Sequence, residues 1–232
     1  MKLQLAEPLF KTIMGESTWA GLPGIIVRAA GCNQRCSYCD SKFAYESQLE
    51  LDVQEVYEQV AVSGQKLVLI TGGEPLLQME GVLELTNTLL YRKKDGYQVL
   101  IETNGTIDVK LLLRTHAHLI MDVKCPSSTL ETTNFPLDAT HISGKVCYDN
   151  LDRLHGYAHN VKFVVGEGID FMWAKDVIRR YALVKKHVPL LMSPVYGKLA
   201  PFQLAQWILD SGLPIRLNLQ LHKIIWGPKT RK

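Results

Sequence analysis

The stretch that decides the fold runs from residue 24 to residue 40: Gly24-Ile25-Ile26-Val27-Arg28-Ala29-Ala30-Gly31-Cys32-Asn33-Gln34-Arg35-Cys36-Ser37-Tyr38-Cys39-Asp40. Its first half, Gly24–Ala30, is short, apolar and β-branched, and reads as a buried strand. Its second half is a polar loop with cysteines spaced C-x3-C-x2-C. Working outward, the same kind of run recurs at Lys66–Thr71, Tyr97–Glu102, His118–Val123, Val161–Val165, Val188–Met192 and Pro214–Gln220. Segments with helical periodicity lie between them at Asp52–Val62, Leu76–Tyr91, Val109–Arg114, Phe171–Lys186 and Pro201–Leu209. Asp52 and Asp108 stand where helices should start, and Gly64, Gly96 and Gly212 where they should stop. Strands alternating with helices predict an α/β fold with a parallel sheet. About seven βα units in 232 residues fall short of the ~250 typical of a closed eightfold barrel. The expected architecture is a partial, open βα barrel.

No low-complexity stretch, charge block or Gly/Ser linker marks a boundary, so residues 1–232 are expected to form one domain. The 47% hydrophobic and 21% charged fractions exclude a disordered chain. A formal charge of +3 is too small to argue for nucleic acid or an anionic membrane as partner. No apolar run approaches the ~18 residues of a membrane span. Glu7, Pro8 and Lys11 interrupt any leader-like h-region in MKLQLAEPLFK. A cytoplasmic protein is expected. Five cysteines, an odd number, argue against a disulfide framework, and three of them lie within eight residues.

In a βα architecture the functional loops follow the carboxyl ends of the strands. The cysteine loop follows the first strand, and Gly72-Gly73-Glu74-Pro75 follows the second. Thr103-Asn104-Gly105 follows the third, and Lys124-Cys125-Pro126-Ser127-Ser128 the fourth. The chemically unusual residues therefore share one rim. Three thiolates on a short loop suit an iron–sulfur cluster, or a zinc ion with a fourth ligand such as Cys125 or a histidine. Gly72 and Gly73 would let unblocked backbone groups approach a small zwitterion, and Glu74 could accept from its ammonium. The plainer reading of the same turn is a strand-to-helix connection. Trp19, Trp173, Trp207 and Trp226 are expected to be packing residues, and His222 either faces the site or satisfies the core.

C-x3-C-x2-C after the first strand, together with Thr71-Gly72-Gly73-Glu74-Pro75 after the second, resembles the radical S-adenosylmethionine superfamily. That resemblance implies a 4Fe-4S cluster on Cys32, Cys36 and Cys39, the catalytic cysteines. It also implies S-adenosylmethionine chelated at the open iron, the source of a 5′-deoxyadenosyl radical. The flanks are more specific. Phe10-Lys11-Thr12-Ile13-Met14-Gly15-Glu16-Ser17, Cys39-Asp40-Ser41 and Gln220-Leu221-His222-Lys223 resemble the 7-carboxy-7-deazaguanine synthase family, whose pattern runs F-x-T-x-Q-G-E-G, C-D-T/S and a Q-x-H-K-type tail.

The resemblance implies a lyase converting 6-carboxy-5,6,7,8-tetrahydropterin to 7-carboxy-7-deazaguanine and ammonia, in queuosine-type 7-deazapurine biosynthesis. It places substrate on Ile13, Met14, Gly15, Glu16, Arg28 and Thr71, with Arg28 on the carboxylate. It places S-adenosylmethionine on Tyr38, Cys39, Asp40, Gly73 and Glu74, and on Asp122-Val123-Lys124, where many members have Ser-Pro-Lys. Ser41 takes the place of the magnesium ligand. It further implies a one-electron reductant protein of flavodoxin or ferredoxin type, and a homodimer. Met14 and Ser17 stand where the pattern has Gln and Gly. Two other readings share the cysteine loop: a glycyl-radical enzyme activase, and a non-catalytic metal-cluster sensor module.

Overall fold

A computed structural model of the chain describes residues 1–128 and 144–227. Among the described residues ten strands form one sheet in the order β10-β9-β8-β7-β6-β5-β3-β1-β4, with β2 also paired to β3. Seven of them are the strands expected from sequence: β3 (Pro23–Ala29), β5 (Leu67–Gly72), β6 (Gln98–Thr103), β7 (His118–Lys124), β8 (Asn160–Val165), β9 (Leu190–Pro194) and β10 (Ile215–Leu217). They run parallel and neighbour to neighbour in chain order. The sheet stays open, with β10 at one edge and β4 at the other. This is the partial barrel.

Three strands lie outside that expectation. β1 (Lys2–Leu5), β2 (Phe10–Ile13) and β4 (Leu49–Asp52) add an antiparallel extension beside β3. Each is only four residues long, too short for periodicity to stand out. Among the helices, α1 (Val53–Ser63) starts at Asp52 with a capping box to Glu55 and stops at Gly64, whose φ is +74°. α2 (Met79–Tyr91) follows a 3-10 turn at Pro75–Gln78. The helix expected over Val109–Arg114 is only a 3-10 turn, Leu112–Arg114. α3 (Gly144–Arg153) was not expected. α4 (Gly168–Arg180) ends sooner than the periodicity suggests, and α5 (Pro201–Ser211) carries its proline at the first turn. A short α6 (Leu221–Ile225) closes the described chain. No described helix is long and apolar enough to cross a membrane.

Side chains on the parallel strands alternate between two environments, as a period of two demands. Ile25, Val27, Val68, Ile70, Val99, Ile101, Leu119, Met121, Val123, Val161 and Phe163 face the helices and form the main core. Ile26, Arg28, Leu69, Thr71, Leu100, Glu102, Ile120, Asp122, Lys124, Lys162 and Val164 face the concave side. Deep on that side Met14, Leu67, Leu100 and Ile120 form a second, small apolar cluster. The concave face is thus apolar at one end of the strands and charged at the carboxyl end.

Candidate active site

The concave face encloses a cavity of about 380 Å³. Cys32, Cys36, Tyr38, Cys39, Asp40 and Ser41 line it from the cysteine loop, and Ile13 to Glu16 from the end of β2 and the loop after it. Arg28, Thr71, Gly73, Asp122 and Lys124 line it from the strand ends. One cavity thus gathers most of the residues singled out in the sequence. All three loop cysteines are half-buried, and burial pushes the Cys36 thiol up to about 11.

The glycine turn holds the cysteine loop directly. Gly73 N–H donates to Ala29 O at 3.1 Å and Glu74 N–H to Gly31 O at 2.8 Å. A Cβ on Gly73 would stand 2.1 Å from Gly31 O, and one on Gly72, whose φ is +147°, 2.0 Å from Ala29 O. The close approach that requires these glycines is therefore that of the neighbouring loop. Of the backbone groups of this turn, N–H or C=O, that could meet a zwitterion, the Gly73 and Glu74 N–H groups are already engaged.

Three further expectations are corrected. Glu74 is fully buried and does not line the cavity. Its carboxylate accepts from Leu76 N–H at 3.0 Å, Thr103 Oγ at 2.8 Å and Asn104 N–H at 2.7 Å, tying two rim loops together. It is a brace, not an acceptor for a ligand's ammonium. Val123 is also fully buried, in the helix-facing core, because it alternates with Asp122 and Lys124. Its side chain has no access to a ligand. Cys125 is likewise a core residue with no access to the cavity, so it cannot be a fourth ligand beside the loop cysteines.

Arg28, expected to wait for a ligand's anion, already has one from the protein. Its Nε lies 2.5 Å from Glu7 Oε1, and both side chains are nearly buried. The guanidinium also sits 6.0 Å from the Phe10 ring centroid and 5.6 Å from that of Phe43. The Nε edge is occupied, and the residue still lines the cavity. Backbone groups of the loop after β2 are partly engaged too: Met14 N–H donates to Leu22 O, Gly21 N–H to Met14 O and Leu221 N–H to Gly15 O. Ser17 has φ +73°, the left-handed region where glycine is at ease, which accounts for the Gly in the pattern it departs from.

The C-terminal helix reaches the same mouth. Lys223 Nζ lies 2.9 Å from Asp40 Oδ2 and His222 Nε2 3.9 Å from it. Burial raises the Asp40 carboxyl, but the neighbouring His222 and the charge of Lys223 outweigh it and hold it well below its ordinary value. Ser41 Oγ donates to Asp40 Oδ1 at 3.1 Å and makes no helix-capping bond. Tyr38 has a buried hydroxyl without a partner, and Lys124 lies 5.9 Å from its ring centroid. Deeper in, Lys124 pairs with Asp122 at 2.8 Å, and Lys162 pairs with Glu16, Glu102 and Asp122. Glu7, Glu102 and Lys162 were not read from the sequence. A charged residue inside an otherwise apolar strand, Lys162 in VKFVV or Glu102 in VLIET, was the available signal.

Residues 26–179 match the family model of the Radical SAM superfamily. The chain is 36% identical to 7-carboxy-7-deazaguanine synthase of Chlorobaculum tepidum over 99% of this chain and 96% of the relative. It is 37% identical to the synthase of Methanospirillum hungatei over 97% of this chain and 86% of the relative. The chain belongs to the 7-carboxy-7-deazaguanine synthase family. Its fold matches the crystal structure of QueE from Escherichia coli with a TM-score of 0.69, at 21% identity and 94% coverage of both chains.

A radical SAM enzyme of this family uses a 4Fe-4S cluster and S-adenosylmethionine, and the residues present fit both. Three cavity-lining thiols come from one loop and no fourth lines the cavity among the described residues, which leaves a coordination position for a ligand. The unpartnered buried hydroxyl of Tyr38 belongs to a residue lining the same mouth. Lys124 is paired with the chain's own Asp122.

Proposed function

We propose that this chain converts 6-carboxy-5,6,7,8-tetrahydropterin to 7-carboxy-7-deazaguanine with loss of ammonia, in queuosine-type biosynthesis. The observation that carries this reading is a single cavity open to both the cysteine thiols and the Arg28 guanidinium. In this reading Cys32, Cys36 and Cys39 hold the 4Fe-4S cluster. Tyr38, Asp40, Gly73 and Lys124 surround S-adenosylmethionine, while Asp122, also expected there, is paired with Lys162 as well as Lys124. When bound, the cluster and S-adenosylmethionine together supply one-electron carbon–sulfur cleavage and a 5′-deoxyadenosyl radical.

The chain's own residues bind, orient and exclude water. Arg28, held at Nε by Glu7, offers its remaining N–H groups to the substrate carboxylate, a charge-assisted contact. Thr71 and the loop from Ile13 to Glu16 border the ring. Met14, Leu67, Leu100 and Ile120 close the apolar end of the cavity against water. Ser41 would offer its hydroxyl oxygen to Mg2+, a hard cation that would neutralise the substrate's negative charge. Residues 1–232 act as one domain, as a homodimer, in the cytoplasm, where a flavodoxin- or ferredoxin-type protein supplies the electron. An activase reading would need a groove for a protein substrate, and the enclosed cavity favours a small molecule instead.

The test is anaerobic reconstitution, reduction and incubation with S-adenosylmethionine and the carboxytetrahydropterin. About four irons per chain and a product of the mass of 7-carboxy-7-deazaguanine are expected. Intact cluster and bound S-adenosylmethionine with no turnover of the pterin would overturn the substrate assignment.

A further inference from the structure

Lys162 is the most enclosed charge on the concave face, its side chain only 4% exposed. It stands on β8 directly across from Asp122 on β7, four strands along the sheet from Arg28. Its ammonium lies 2.7 Å from Glu16 Oε2, 2.6 Å from Glu102 Oε1 and 3.1 Å from Asp122 Oδ2. Those three carboxylates come from the loop after β2, from β6 and from β7. An ammonium has three donors, and all three are engaged. Burial disfavours its charge, but Asp122, Glu102 and Glu16 outweigh burial and keep it protonated. It therefore neither donates to a ligand nor passes a proton. What remains for it is orientation.

Each carboxylate gives one oxygen to Lys162, and the second oxygens differ. Glu102 Oε2 accepts from Thr71 Oγ at 3.2 Å. Glu16 Oε1 and Asp122 Oδ1 are buried and have no partner. A buried carboxylate oxygen without a donor is costly, and two in residues lining one cavity call for donors from outside the protein. Charge points the same way. Three carboxylates face two ammonium groups, Lys162 and Lys124, which leaves one negative charge in an enclosed site.

We infer that Lys162 is a positioning residue: it turns Glu16 Oε1 and Asp122 Oδ1 toward the cavity as acceptors for the N–H donors of the substrate's heterocycle. The inference rests on the proposed pterin reaction and deepens it. Arg28 takes the carboxylate end of the substrate, and the Lys162 cluster takes the N–H-rich ring.

The experiment compares Lys162→Met and Lys162→Arg with the parent as cluster-loaded protein. Binding of 6-carboxypterin, of pterin lacking the carboxyl, and of S-adenosylmethionine is measured by calorimetry, with iron content and kcat against KM. For Lys162→Met, affinity for both pterins should fall by a similar factor, about ten- to a hundredfold. Iron content and S-adenosylmethionine affinity should stay within about twofold, and KM should change more than kcat. Equal losses for pterin and S-adenosylmethionine, or unchanged pterin binding, overturn the inference. If Lys162→Met does not fold, Lys162→Arg decides. It keeps the charge and alters the reach, so weakened pterin binding with parental S-adenosylmethionine binding supports positioning, and parental binding of both overturns it. A parent that binds neither pterin overturns the proposed reaction itself, whatever Lys162 does.

Discussion

At the scale of single residues, the Arg28–Glu7 pair sets how the substrate's anion can be received. The two side chains are nearly buried, so removing either leaves a charge without its partner. Arg28→Ala should weaken carboxypterin binding roughly ten- to a hundredfold, from loss of a charge-assisted contact worth about 1.5–3 kcal/mol. Glu7→Gln keeps an acceptor for Nε and should cost only a few-fold. Calorimetry checks both, and an Arg28→Ala protein with parental pterin affinity would remove Arg28 from the site. Ser41 permits a second test. Its hydroxyl bonds Asp40 and caps no helix, so Ser41→Ala should leave iron content and folding unchanged while blunting the rate response to added Mg2+. A variant that responds to magnesium as the parent does would refute the ligand role. Much at this scale was legible: Cys32, Cys36, Cys39, Arg28, Thr71 and Lys124 all line the cavity. Glu74 was misread because a carboxylate beside two glycines looks available until its three internal donors are located.

At the scale of elements, the glycine turn and the cysteine loop behave as one unit. Gly73→Ala drives a Cβ into Gly31 O and the Cys32 side chain, backbone and loop that cannot simply swing aside. Overpacking of this kind costs about 1–3 kcal/mol. The thermal midpoint and the iron bound per chain should therefore fall together, and an alanine variant that loads iron like the parent contradicts the coupling. The β7–β8 edge carries a pH signal. His159 Nδ1 accepts from Leu119 N–H at 3.2 Å, and burial, with the nearby His118, lowers its pKa below 6.5. Below that pH the unfolded chain takes up the proton more readily than the folded one. Stability should thus decline as pH falls beneath about 6.5 and level off above it. His159→Gln, which can keep the acceptor, should flatten that slope in thermal midpoints taken from pH 5 to 8; an unchanged slope would assign it to other groups. Sequence periodicity found the seven parallel strands here, but not β1, β2 or β4, whose four-residue runs are stabilised by pairing rather than pattern.

At the scale of the whole molecule, the open sheet divides its residues between a packed face and a chemical face. Val123 and Lys124 are neighbours in sequence on opposite sides of that division. Val123→Ala should cost roughly 2 kcal/mol of stability with little effect on S-adenosylmethionine binding. Lys124→Met should do the reverse, weakening S-adenosylmethionine binding with the sheet intact. Denaturant titration beside calorimetry separates the two, and a Val123→Ala variant that loses the ligand but keeps its stability would undo the assignment of faces. The sequence alone determined that a parallel βα sheet exists, because β-branched runs and helix stops are local signals. It also placed the cysteines on a rim loop, since function in such sheets follows the strand ends, while the chemistry came from the resemblance of the two motifs to a known superfamily. Only the tertiary structure decided which groups remain free for a ligand. Glu74 and the Gly73 N–H are consumed by contacts between loops, Arg28 is met by Glu7 from 21 residues away, and Lys162 gathers Glu16, Glu102 and Asp122. Each of these outcomes depends on partners distant along the chain, and burial makes a carboxylate or ammonium seek whichever opposite charge the fold brings within reach.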